Sequence, residues 1–138
     1  MASLIYGSAV DDMISGTISF DIDEFKVMLV ASSYNPNKRT HEKRSDITNE
    51  VVGDGYVAGG SSVTVMVDSD SNNDRVNISL GVARWSAATI TARGAVYYKS
   101  RGGASNADEL VAYIDFGTNI VSTNGTFSLT ESTLRIQN

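Results

Sequence analysis

No cysteine occurs among the 138 residues, and proline, histidine and tryptophan each occur once. Without thiols there are no disulfides and no thiolate metal sites, so the fold must rest on packing, on assembly, or on both. The one histidine, His41, is followed by Glu42, a pair that suggests acid–base work, but no second imidazole supports it. A serine-hydrolase reading would have to use that same residue, and no nucleophile-elbow pattern accompanies it. No segment approaches the run of about eighteen apolar residues that a membrane span needs. Positive charge is not in excess either. The net charge is −5, which points away from nucleic acid, whose binders normally carry a basic face. The first residues lack both a basic n-region and a continuous apolar stretch. The expectation is therefore a chain made and folded in a cytoplasm.

What the sequence has in quantity is period-two alternation. Val76, Ile78, Leu80 and Val82 alternate with Asn77, Ser79, Gly81 and Ala83, as in a strand with one face on a core and one toward water. After a corner expected at Trp85–Ser86, the pattern resumes from Ala88 to Lys99. Phe25 to Val30 reads as a strand buried on both faces. Ile18 and Phe20, then Val63, Val65 and Val67, give further alternating segments, and Leu110 to Phe116 another. Asp68 to Asp74 is turn chemistry that closes a hairpin, Ser100 to Asn106 is a second polar turn, and Asn119 to Asn124 reads as a further turn before a final pair of strands. Leu4, Ile5, Ala9, Met13 and Ile14 recur at helical spacing within residues 2–15, with Gly16 as a stop. Residues 32–62 form one long connection, a length that is uncommon without regular structure and tends to be functional or to wrap the domain. The prediction is one domain, 1–138, with an all-β, jelly-roll-like sandwich of about eight antiparallel strands, a short N-terminal helix and one long loop.

Few residues offer chemistry. Asp68, Asp70, Asn72 and Asp74 alternate as calcium-loop ligands do, but Asn73 and Ser79 stand where that loop needs Gly and Glu. No metal or other cofactor is expected. Lys38, Arg39, Lys43 and Arg44 put four positive charges into seven residues of an acidic chain. Such a cluster suits an acidic partner surface, and the fold itself is not expected to need it. Trp85, Tyr97, Tyr98 and Tyr113 sit in or beside strands, where packing in the core or at an edge is the first reading; the alternative is an interface anchor, with Trp85 as the candidate.

Phe25 to Val30, Tyr34 to His41, Asn49-Glu50-Val51, Gly55 to Gly60, Trp85 with Ala88 to Arg93, Tyr113 to Gly117 and Gly125-Thr126-Phe127 together resemble a family of small virion structural proteins of tailed bacteriophages. The resemblance spans about residues 15–130. It implies no catalytic residues and a capsid cement, or decoration, role: binding outside the head and bridging neighbouring major capsid subunits. It further implies a homo-oligomer, a dimer before a trimer, located on the virion surface. A tail fibre or baseplate component and a carbohydrate-binding attachment module are the alternatives.

Overall fold

The computed structural model describes residues 3–137. In chain order these form β1 (Leu4–Ile5), α1 (Gly7–Ser15), β2 (Phe25–Val30), β3 (Ser61–Val63), β4 (Val65–Asp70), β5 (Arg75–Leu80), β6 (Ala83–Lys99), β7 (Leu110–Leu129) and β8 (Ser132–Gln137). All pairings are antiparallel, in a five-stranded sheet of order β1-β7-β6-β2-β3 and a three-stranded sheet of order β4-β5-β8. The fold is an all-β sandwich with one short helix and one long connection.

The burial of β2 on both faces explains the third layer. Phe25, Val27 and Leu29 point into the core shared with Ile78, Leu80 and Leu134 of the small sheet. Met28 and Val30 point the other way, into a second cluster with Tyr6 and Ala9 of the N-terminal segment and Tyr34 of the long connection. Each fully buried Leu or Val contributes about 1.5–3 kcal/mol. The helix and the long connection therefore cover the second face of the large sheet.

Chain crossings between the sheets are short. The large sheet hands over to the small one at Thr64, the small to the large at Gly81–Val82, and the large to the small again at Thr130–Glu131. Strands that switch sheets at bends make the corners of such sandwiches. Gly81 is required at one corner, because its N–H donates to the Thr64 carbonyl at 2.8 Å and a Cβ there would lie 2.7 Å from that oxygen. Val82 consequently leaves the apolar row it was expected to continue and is exposed.

Several expected boundaries move. Leu4 and Ile5 leave the predicted helix to pair with Tyr113 and Ala112; residue 2, also placed in that helix, lies outside the described residues. Thr17 to Phe20 is turn rather than strand: the Ser19 N–H is taken by the Asp23 carboxylate at 2.7 Å, although Ile18 and Phe20 still reach the core. The corner expected at Trp85–Ser86 is a bulge within one seventeen-residue strand, with Ala87 at φ 49°. The extra residue shifts the inward phase from Ala83 and Trp85 to Ala88, Ile90 and Ala92. The turn expected at Asn119–Asn124 is strand as well, since Ile120 and Val121 pair with Ala92 and Thr91. The surplus residues sit just before, where Arg93 alone opposes Phe116 to Asn119. Asp115 braces that bulge by accepting from Arg93 Nε at 2.9 Å and Gly117 N–H at 3.0 Å.

Candidate functional site

The four basic residues of the long connection meet two different fates. Asp108 and Glu109 are the only buried charged residues among those described, 1% and 3% exposed. Arg44 Nε donates to Asp108 Oδ2 at 2.8 Å, and its guanidinium lies 5.3 Å from the Tyr98 ring centre. Lys43 Nζ reaches Glu109 Oε2 at 3.4 Å. Arg101 completes the cluster with a two-pronged pair to Glu109 at 2.8 and 2.9 Å, and its N–H donates to Asp108 Oδ1. Backbone bonds run alongside, from Arg44 N–H to the Asp108 carbonyl and from Leu110 N–H to the Glu42 carbonyl. Burial alone would raise the Glu109 carboxyl, but the Arg101 hydrogen bonds and the nearby cations prevail and hold it at about 2. Lys43 and Arg44 thus stitch the long connection to the β6–β7 turn. This corrects the expectation that the fold does not need them.

Lys38 and Arg39, in contrast, are exposed. They sit on a tight turn in which Asn37 Oδ1 accepts from Arg39 and Thr40 N–H at 3.0 and 3.2 Å. Below it His41 is packed: its ring stacks on Tyr34 at 5.7 Å. His41 Nδ1 accepts from Asn37 N–H at 3.3 Å and lies 2.9 Å from Tyr34 Oη, which is 2.8 Å from Tyr6 Oη. Burial pushes Tyr34 up to about 12, although its hydrogen bond with Tyr6 pulls the other way. The Lys38 carbonyl accepts the first N–H of α1, from Gly7, at 2.8 Å. The turn's backbone is fixed while its two cations stand in water. His41 and Glu42 form no acid–base pair, because Glu42 is exposed and the histidine's partners are Asn37 and Tyr34.

The rest of the connection is equally braced. Ala31 and Val51 N–H groups bond the carbonyls of Asn49 and Leu29, and Glu50 accepts from Tyr56 Oη at 2.5 Å and Gly59 N–H at 2.7 Å. Gly60 is needed because a Cβ would lie 1.8 Å from the Val27 carbonyl oxygen. On this scaffold Val52, 93% exposed, and Val57 face outward.

Trp85 is 6% exposed, packed between Tyr56 at 5.8 Å and Phe127 at 6.0 Å. It is a core residue, as the packing reading expected, and its alternative part as an interface anchor is corrected. The other aromatics follow: among the described residues no Tyr, Trp or Phe is exposed. In the acidic hairpin turn Asp70 is held internally, accepting from Asn73 and facing Arg75 at 3.6 Å, while Asp68, Asn72 and Asp74 are exposed. Among the described residues no three His, Asp or Glu side chains come together as metal ligands would.

A second surface feature was not foreseen. Ile5, Val10, Ile14, Ile78, Leu134 and Ile136 line an apolar groove of about 230 Å³ between α1 and the small sheet. Ile14 is 83% exposed on its rim. The signal for it lay in the sequence: Val10 and Ile14 form a second apolar stripe on α1 beside the buried Ala9 and the half-buried Met13. Asp108 and Glu109 also escaped notice, although two acids directly before the apolar run at Leu110 invite a search for basic partners. Compared with protein-family models, curated proteins and solved structures, the chain matches none.

Proposed function

We propose that this protein is a non-enzymatic capsid cement protein of a tailed bacteriophage. In this reading it is made in the host cytoplasm, binds the outside of the head as a homo-oligomer, and staples neighbouring major capsid subunits. The observation that supports an attachment role is the rigid bracing of a thirty-residue connection that ends in outward-facing Lys38, Arg39, Val52 and Val57. A preordered loop loses less conformational entropy on binding than a mobile one. Two cations on an acidic molecule add orientation toward an acidic patch. The carbohydrate-binding alternative needs an aromatic platform for sugar rings, and Trp85 and the tyrosines are turned inward. Imaging particles with the protein labelled tests the reading. Many copies spread over the head lattice support it, whereas a few copies at the tail would move the protein to a fibre or baseplate. Particles lacking the protein should regain it on incubation, and a Lys38→Glu, Arg39→Glu variant should bind less and with weaker salt dependence.

A further inference from the structure

The small sheet ends in two free edges. β5 is paired on both sides, while β4 and β8 each pair only with β5. Among the described residues, no backbone bond outside this sheet is made by the β8 residues. Exposed edges of this kind are templates for another strand. The register shows what that strand should carry. Asp68 pairs with Asn77 and Asn77 with Arg135, so an acid and a base occupy the two ends of one row on the outer face. Both are exposed, and neither has an ion pair among the described residues. On the inner face, Val67, Ile78 and Leu134 share the next row, and Leu134 and Ile136 run on into the apolar groove under α1.

We propose that the occupant of the β8 edge is β4 of a second copy of this chain. β4 and β8 both run antiparallel to β5, so rotating one copy about an axis along the strands sets its β4 parallel to the first copy's β8. With no slip in height, Asp68 of the second copy meets Arg135, and its Val67 lies beside Leu134 at the mouth of the groove. Like edges lack this complementarity: in the antiparallel register centred on the same row, β4 with β4 sets Asp68 against Asp68, and β8 with β8 sets Arg135 against Arg135. Like charges directly opposite destabilise strand pairs. The contact joins different surfaces, so it closes into a ring or runs on as a filament, and does not form the two-fold dimer expected from the sequence. Strand addition supplies the backbone bonds, and the groove supplies places for alternate apolar side chains.

The inference deepens the assembly reading by naming a second copy as one partner, but its test uses the purified protein alone. Failure here removes the self-contact and leaves capsid attachment to be judged on particles. The chain has no cysteine of its own, so disulfide trapping is clean. Met66 and Thr133 are the ends of the neighbouring outer row, through Ser79. Mixing Met66→Cys with Thr133→Cys protein should give the mixed disulfide as the main crosslinked product. Crosslinking of either variant mainly with itself, or no crosslinking with monomeric sedimentation at every concentration, overturns the proposal. In the charge arm, Asp68→Arg and Arg135→Asp should each weaken association about tenfold or more, and the double variant should recover it. Association indifferent to both single changes, in variants whose melting matches the parent, also overturns it.

Discussion

Lys38 and Arg39 differ from Lys43 and Arg44 by only a few positions, yet the first pair stands in water and the second closes over buried carboxylates. The difference lies in what the chain brings opposite. A hydrogen-bonded turn carries Lys38 and Arg39 away from the body. At Lys43 the backbone bridges to Glu109, and two acids that could not be buried alone are held there. A buried carboxylate without a partner is costly, so Arg44 and Arg101 are structural requirements of the β6–β7 turn. One charged run thus divides into a part that stabilises the fold and a part left for other molecules.

The largest expected effect comes from breaking the structural half. Arg44→Ala leaves Asp108 Oδ2 without its donor inside the protein. Removing one partner of a buried pair costs roughly 3–5 kcal/mol, and the low end applies because the Arg44 side chain is itself 22% exposed. Chemical denaturation should show a loss of about 3 kcal/mol. A loss below about 0.5 kcal/mol, the ordinary range for surface changes, would erase the contrast between the two pairs.

Acid offers a second way to sharpen it. Glu109 is held at about 2 against an unfolded value near 4.5. A depressed carboxyl stabilises the fold fully above its unfolded value and loses that contribution as pH falls through its folded value. The loss should therefore fall between about pH 4.5 and 2 and amount to roughly 3 kcal/mol. Thermal melts across that window should decline in the parent and decline less in Glu109→Gln, whose side chain cannot ionise. Equal slopes would mean that other carboxylates govern the acid limb.

A smaller effect is expected at His41, which links the two halves. His41→Ala removes the acceptor for Asn37 N–H and the ring under Tyr34. One hydrogen bond with its packing is worth about 1 kcal/mol. Hydrogen exchange should speed at Asn37 to His41 and stay unchanged at Leu110 to Tyr113. Faster exchange at both sites would show that the turn and the core open together.

These differences bear on what could be read from residues alone. Alternation located β2, the β4–β5 hairpin and the buried half of β6, because each of these has a face on the core. It failed at Thr17 to Phe20, where inward residues sit on a turn, and at Asn119 to Asn124, where a strand has no cover and so shows no apolar rhythm. The bulge at Ala87 was invisible because its effect, a shift of phase, looks like a corner. Lys38 and Arg39 could be picked out as surface cations from sequence. The partners of Lys43 and Arg44 could not, since they lie 66 and 64 residues away and only the pairing of β6 with β7 brings them near. For Trp85 residues alone left both core packing and an interface open, because a lone tryptophan in an alternating strand faces core or solvent according to a phase that the bulge resets.

The smallest effect on the fold, and the one most telling for function, belongs to the exposed pair. Lys38→Ala with Arg39→Ala removes no hydrogen bond between side chains, and the backbone contacts of the turn run through Asn37 and the Lys38 carbonyl. Stability should change by no more than about 0.5 kcal/mol. Attachment to particles, in contrast, should weaken, chiefly through slower association, because charges at the edge of an interface steer encounter more than they hold the complex. The deficit should shrink as salt rises, since screening at about 0.15 M already limits such attraction to roughly 8 Å. Association rates measured across a salt series for parent and variant decide the matter. Curves that converge at high salt place the pair at the attachment surface, and curves that coincide throughout leave that role to Val52, Val57 and the rest of the braced connection.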